Sequence, residues 1–316
     1  MDRTDQLEAA DVAALADRIG RNVALAVKVP QSTLRDVLIA LLAEGHVLVE
    51  DHPGVGKTAL VRALSRSIDA VYARIQCTSD LLPADVVGTN VFNQREARFE
   101  FRPGPVFANL VLVDEINRAP PKTQSGLLEC MQERQVTVDA SAHELARPFL
   151  VMATQNPVDY AGTYPLPENQ LDRFMVRVSL GYPPPAKEVE MLSEHSEGDR
   201  VLALEPVATV AEVLDAQDAA RQVHTSERLL RYVVGVLARI RADPRVEFGA
   251  SPRAGLMLVK AAKVLAAVQG RDHVLPDDVQ ELVPSVLAHR LLLAPAAADI
   301  TGLDVLDNAL ARVPAL

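Results

Sequence analysis

The sequence predicts an α/β fold, a parallel β-sheet with helices on both faces, followed by an all-helical second domain. Three observations carry this. Five short apolar runs, at 46–50, 71–77, 109–114, 149–155 and 175–180, alternate with helical patterns. A glycine-containing loop joins the first run to a helix start. The composition then breaks at Tyr182-Pro183-Pro184-Pro185, and no convincing buried strand lies beyond it. Alternation of strands and helices implies parallel strands joined by helical crossovers.

Each element has its own signal. Val12, Leu15, Ile19 and Val23 recur at helical spacing across 8–27, which ends before Pro30. A second helix over 33–44 buries Leu34, Val37, Leu38, Leu41 and Leu42, with Gly45 as its C-terminal cap. Between the strands, helices are expected at 57–68, 121–134 and 167–172. Two segments interrupt the alternation and read as hairpins, about 88–107 and 135–148. Beyond the proline run, helical patterns cover 186–196, 209–222, 225–242, 252–268, 276–292 and 302–312. The expected division is therefore 1–183 for the α/β unit and 184–316 for the helical one.

Composition narrows the function classes. The chain has 316 residues, 49% hydrophobic, with a formal net charge of −10. That acidity argues against a dominant nucleic-acid footprint. No apolar run is long enough to span a bilayer and no signal-peptide core follows the polar N-terminus, so a cytoplasmic protein is expected. Cys77 and Cys130 lack metal-ligand spacing and read as reduced, structural residues.

The loop carries the chemistry. Glu50-Asp51-His52-Pro53-Gly54-Val55-Gly56-Lys57-Thr58 lies between an apolar strand and the helix that opens at Ala59. Strand, glycine loop, Lys-Thr and helix form a phosphate-binding P-loop. Backbone N–H groups and the helix N-terminus face the phosphates, Lys57 reaches the β/γ oxygens and Thr58 ligates Mg²⁺. The general pattern has glycine at position 51, where this chain has Asp51. Val111-Leu112-Val113-Asp114-Glu115 is a strand ending in two carboxylates at the sheet edge where open α/β folds bind ligands. Asp114 suits Mg²⁺, and Glu115 suits polarisation of the attacking water. Asn156 follows another buried strand and could bond the lytic water. Arg173 ends a short helix; it pairs with Asp172, complements that helix's C-terminus, or reaches a neighbouring subunit's ATP. Ser251-Pro252-Arg253 opens a helix and puts a cation where the macrodipole disfavours one, so a bound anion such as ATP phosphate is expected near Arg253.

The order of these pieces resembles the AAA+ ATPases, and the details resemble the MoxR family. The residues that carry this are the loop 50–58, Arg102-Pro103-Gly104-Pro105-Val106-Phe107-Ala108-Asn109, Asp114-Glu115-Ile116-Asn117-Arg118-Ala119-Pro120-Pro121-Lys122-Thr123-Gln124, Glu129-Cys130-Met131-Gln132-Glu133, Ala153-Thr154-Gln155-Asn156-Pro157 and Leu171-Asp172-Arg173-Phe174. The Glu-Asp before Pro-Gly is common in that family, so Asp51 departs from the general loop but not from this one.

The resemblance implies a five-stranded αβα core with a helical lid, and ATP with Mg²⁺ in the cleft between them. The nucleotide would lie along Asp51, His52, Pro53, Gly54, Val55, Gly56, Lys57, Thr58 and Ala59, with Thr58 and Asp114 at the metal. Asn156 corresponds to sensor 1, Arg173 to the arginine finger and Arg253 to sensor 2. A homo-oligomeric ring, usually hexameric, is implied, with the hairpins facing its pore. So is a partner bearing a von Willebrand factor A-type domain. Arg118 and Lys122 are candidates for the subunit interface. The expected activity is ATP hydrolysis driving a chaperone-like motor that remodels, matures or activates protein complexes, including insertion of metal cofactors. Alternatives are a metal-chelatase motor subunit, a nucleic-acid-remodelling motor and a nucleotide-gated scaffold with little turnover.

Overall fold

The computed structural model describes residues 8–156, 163–182, 185, 188, 200–297 and 299–315. Two helices, α1 (Ala9–Ala26) and α2 (Gln31–Leu42), lead into β1 (Val47–Glu50). Then follow α3 (Lys57–Ser67), β2 (Tyr72–Gln76), α4 (Pro83–Val87), the hairpin β3 (Gly88–Asn93) and β4 (Arg98–Pro103), and β5 (Leu110–Asp114). Next come α5 (Pro121–Glu133), the hairpin β6 (Gln135–Val138) and β7 (Ser141–Glu144), β8 (Leu150–Gln155), α6 (Glu168–Leu171) and β9 (Val176–Val178). The five expected strands form one sheet in the order β2-β5-β8-β1-β9. Every pairing within it is parallel. The first and last strands of the nucleotide unit are thus neighbours, and the P-loop strand sits next to both β8 and β9.

Alternation along the strands divides the core in two. Val47, Val49, Leu110, Leu112, Leu150, Met152, Val176 and Val178 point to one face, against α1, α2 and α3. Leu48, Val111, Val113, Val151 and Ala153 point to the other, against α5 and the bases of the hairpins. The first cluster does not stop at the sheet. It continues through α1 and α2 into the helices Val210–Gln222, Glu227–Arg241, Pro252–Val268 and Pro276–Leu287 of the C-terminal region. The lid is therefore packed on the back of the nucleotide unit through a shared apolar core, and the boundary expected at 183/184 falls beside residues outside the described set.

The lid helices start where their caps predict. Thr209 closes a capping box with Glu212, and Ser226, Ser251 and Thr301 each accept a backbone N–H of their first turn. The last helix is Gly302–Arg312. Two expectations change and one is not reached. The helix expected at 186–196 lies almost wholly outside the described residues. The helix expected to reach 292 ends at Leu287, and the chain passes through a 3₁₀ turn, Ala288–Arg290, into a short strand. That strand, β11 (Leu292–Leu293), pairs antiparallel with β10 (Val246–Phe248), so the lid holds a small ribbon. Two or three residues are too short to show alternation. The second change is local. The left-handed residue ending α2 is Glu44 (φ 55°), not Gly45. The N–H of Gly45 bonds Ala40 O at 2.8 Å and that of Glu44 bonds Leu41 O at 3.3 Å, a Schellman closure. Gly45 is required for another reason: a Cβ there would lie 2.6 Å from Met175.

His46 joins the layers. Its Nδ1 accepts from Val151 N at 3.0 Å, which places the proton on Nε2, donating to Met131 O at 2.9 Å. Burial pushes this imidazole down to about 4.

Candidate nucleotide site

β1 ends at Glu50 and α3 begins at Lys57, so the loop spans 51–56 at the carboxyl edge of the sheet. Gly54 and Gly56 have φ of 87° and 95°, conformations that favour glycine. A Cβ at either would meet nothing within 4 Å, so the loop's concave side is open to a ligand. A cleft of about 430 Å³ opens above it. Pro53, Gly54, Gly56, Lys57, Thr58 and Ala59 line one wall; Asp114, Glu115 and Asn156 line the other. Val55 packs back on the core, and His52 stacks on Tyr182 with ring centroids 6.0 Å apart.

The charges in the cleft are internally paired. Lys57 Nζ donates to Asp51 O at 2.7 Å. Burial lowers the Lys57 ammonium more than the neighbouring Asp51, Asp114 and Glu115 carboxylates raise it. Asp114, buried at the end of β5, accepts Arg74 Nε at 2.7 Å. Thr154 Oγ1 accepts Glu115 N at 2.9 Å and donates to Asp114 Oδ1 at 3.3 Å, so β8 fixes both acidic residues. Glu115 itself is left-handed (φ 56°), a conformation uncommon for a residue with a side chain, at the point where the chain turns out of the strand. Its carboxylate accepts Arg118 Nη1 at 2.8 Å. Arg118 is thus engaged with Glu115 itself, while Lys122 is exposed in the first turn of α5.

Arg74, Gln76, Thr154 and Gln155 also line the cleft, and sequence reasoning missed them. Arg74 Nη2 donates to Gln76 Oε1 at 2.9 Å, an i, i+2 pair on one face of β2. That alternation was the available signal.

A hydroxyl, a carboxylate and open loop N–H groups suit a nucleotide phosphate with a hard divalent ion. Thr58 and Asp114 could hold Mg²⁺, which keeps most of its shell as water and phosphate oxygen. No group of three acidic, His or Cys ligands occurs among the described residues, so no all-protein cage competes with this arrangement.

Arg173 and Arg253 are placed elsewhere. Neither lines the cleft, nor does any lid residue among those described. They lie beside one another against α5, where Arg253 Nη1 donates to Gln132 Oε1 at 3.4 Å. Burial lowers Arg173, Arg253 lowers it further, and Glu129 and Glu133 oppose this. Arg173 Nη1 is buried without a hydrogen-bond partner. Its neighbours hold it firmly. Asp172 Oδ1 accepts Arg290 Nε at 2.8 Å and Oδ2 accepts Ser251 Oγ at 2.9 Å. Ser251 also caps the helix that carries Arg253. Core and lid therefore meet at this arginine pair, and among the described residues no lid side chain lines the P-loop cleft.

The comparisons with known proteins agree with this geometry. The ATPase family associated with various cellular activities (AAA) matches residues 46–176, and the AAA lid domain matches 238–308. The chain is 50% identical over 260 residues to the uncharacterized protein YeaC of Bacillus subtilis, covering 82% of this chain and 81% of that one. It is 42% identical over 290 residues to the chaperone MoxR1 of Mycobacterium tuberculosis, covering 89% and 76%. A crystal structure of a provisionally assigned ATPase from Cytophaga hutchinsonii superposes with a TM-score of 0.91 at 36% identity, covering 98% and 97%. An αβα P-loop core with a helical lid and this site defines an ATP-hydrolysing AAA+ enzyme. Within that class the chain belongs to the MoxR family of chaperone-like AAA+ ATPases.

Proposed function

We propose that this chain is an ATP-driven remodelling motor whose hydrolytic site is completed across a subunit boundary. Residues 1–183 supply the nucleotide-binding unit and 184–316 the lid. The observation that carries the reading is the Arg173–Arg253 pair, which is outside its own cleft and includes a buried guanidinium nitrogen lacking an acceptor. A like-charged, partly desolvated pair calls for an anion, and the γ-phosphate bound to the next copy in a ring supplies one. A hexamer is the assembly expected.

In this reading Lys57 and the loop N–H groups orient the phosphates, and Thr58 and Asp114 hold Mg²⁺, which supplies charge neutralisation when bound. Glu115 accepts the proton of the attacking water once its carboxylate is released from Arg118, and Asn156 orients that water. Arg173 and Arg253 of the neighbouring copy stabilise the charge on the transferred phosphoryl oxygens.

The work is directed at protein complexes, including those that take up metal cofactors, with a von Willebrand factor A-domain protein as partner. The two hairpins support a client-facing role. Phe92 and Phe99 pair across β3 and β4 with ring centroids 5.3 Å apart, yet are 50% and 71% exposed. The hairpins brace each other: Phe101 stacks on His143 at 3.8 Å, and Asn90 Nδ2 donates to Asp139 Oδ2 at 2.7 Å.

Subunit mixing tests the shared site. Arg173→Ala and Lys57→Ala are each expected to be inactive alone. Mixed, they regain part of the turnover, because an intact cleft in one copy meets an intact arginine in the other. No recovery at any ratio would place Arg173 in its own subunit's chemistry. Client identity is tested by recovering proteins bound to Glu115→Gln in the presence of ATP.

A further inference from the structure

Asp51 occupies the position where the general phosphate loop has glycine, and the structure gives its side chain a specific task. The residue is 5% exposed, and its carboxylate accepts four hydrogen bonds. Oδ1 accepts His52 N at 2.9 Å. Oδ2 accepts Ser179 Oγ at 3.1 Å, Leu180 N at 2.7 Å and Gly181 N at 2.8 Å. Those three residues carry the chain out of β9, which lies beside β1. The backbone carbonyl of the same Asp51 accepts Lys57 Nζ. A second strap runs parallel, with His52 stacked on Tyr182. Burial pushes the Asp51 carboxyl up, but the N–H groups of Gly181, Leu180 and His52 outweigh it and hold the group ionised.

We propose that Asp51 is a positioning residue that transmits occupancy of the P-loop to the end of β9, the strand whose other end follows Arg173. The Lys57 ammonium rests on the Asp51 carbonyl. A phosphate oxygen is the stronger acceptor for that ammonium and draws it away. The Asp51 peptide then loses a charge-assisted bond while its carboxylate stays fastened to 179–181. A readjustment of the loop is therefore passed to the neighbouring strand, where glycine would let it dissipate. Glycine at 51 would also remove the acceptor shared by the Leu180 and Gly181 N–H groups. The inference rests on reading the cleft as the ATP site.

The test is amide hydrogen exchange of the full-length protein, with ADP and with a non-hydrolysable ATP analogue as probes, beside steady-state kinetics. In the wild type, the amides of Leu180 and Gly181 are protected, and their exchange shifts when nucleotide binds. In Asp51→Asn that shift disappears although nucleotide still binds. Its kcat falls about 10- to 100-fold while KM changes less than about threefold, the signature of lost alignment over lost binding. Ser179→Ala, which leaves the loop untouched, gives a smaller change in the same direction. Asp51→Gly, which completes the general loop pattern, is worse than Asp51→Asn. Wild-type kcat in Asp51→Asn would overturn the inference. So would exchange at 180–181 that ignores nucleotide while the amides of 54–58 respond to it. If the amides of 54–58 do not respond either, the cleft itself is misassigned, so the two failures are distinguishable.

Discussion

The P-loop cleft and the Arg173–Arg253 pair are both charged, but they are satisfied in opposite ways. Among the described residues both cations lining the cleft have an internal partner, Lys57 on the Asp51 carbonyl and Arg74 on Asp114, and beside it Arg118 pairs with Glu115. In the arginine pair two cations face each other, and Arg173 Nη1 has no hydrogen-bond partner. In the first region, local carboxylates and a carbonyl satisfy the cations. In the second, one buried guanidinium nitrogen has no acceptor among the described residues, while Arg253 donates to Gln132. Under the proposed shared site, that contrast would link catalysis to assembly.

The comparison can be broken, starting with the largest effect. Arg173→Ala should reduce turnover by about 10³–10⁵-fold if the guanidinium acts on transferring phosphoryl oxygens. Nucleotide affinity, read by equilibrium binding, should hardly change, because Arg173 does not line the cleft. A parallel loss of binding would put Arg173 in the first region. Glu115→Gln should lower kcat by about 10²–10⁴-fold with ATP binding retained. Undiminished hydrolysis would remove Glu115 from the water-activating role.

The next prediction concerns what holds the second region together. Arg290 and Asp172 form a largely buried ion pair, 2% and 19% exposed by side chain. Asp172→Ala leaves a buried guanidinium with one fewer acceptor. It should destabilise the protein by about 3–5 kcal/mol in thermal or denaturant unfolding. An effect near zero would mean that the arginine pair is loosely held and that its geometry depends on assembly.

The smallest effect lies in the frame that both regions share. His46 is held neutral, at about 4, against an ordinary value of 6.5. Between these values the unfolded chain binds the proton and the folded one does not, so stability rises with pH across that window and falls as pH drops from 6.5 towards 4. The loss should reach on the order of 3 kcal/mol. His46→Gln should flatten that part of the stability–pH curve, and an unchanged slope would show that other groups set it.

The β1–loop–α3 unit was legible because its chemistry is local. Two glycines at positive φ, Lys57 and Thr58 stand at fixed spacing, and the flanking periods switch from strand to helix. The buried strands were legible for the same reason. What escaped was set by distance in sequence. Asp51 meets Ser179 and Gly181 across 128 and 130 residues, so nothing near position 51 signals its task. Arg74 reaches Asp114, 40 residues on, from the neighbouring strand. Arg173 and Arg253 were each recognisable as candidates, but their adjacency depends on how Ser251 and Arg290 dock on Asp172, a tertiary fact. The hairpins were visible as alternation, whereas the lid ribbon was too short to leave a pattern.

The apolar cluster that runs from α1 and α2 through the sheet into the lid bears on what can be cut or transplanted. The segments matched by family descriptions, 46–176 and 238–308, leave out α1, α2 and the helix Val210–Gln222. Those excluded helices supply Ile19, Val37, Ile39, Val213 and Ala216, all buried and all in the same cluster as Leu64 and Leu265. A fragment trimmed to the recognised segments would carry the whole catalytic vocabulary and still expose the apolar back of its sheet to water. The segments that the family descriptions match and the unit that buries the core have different edges here.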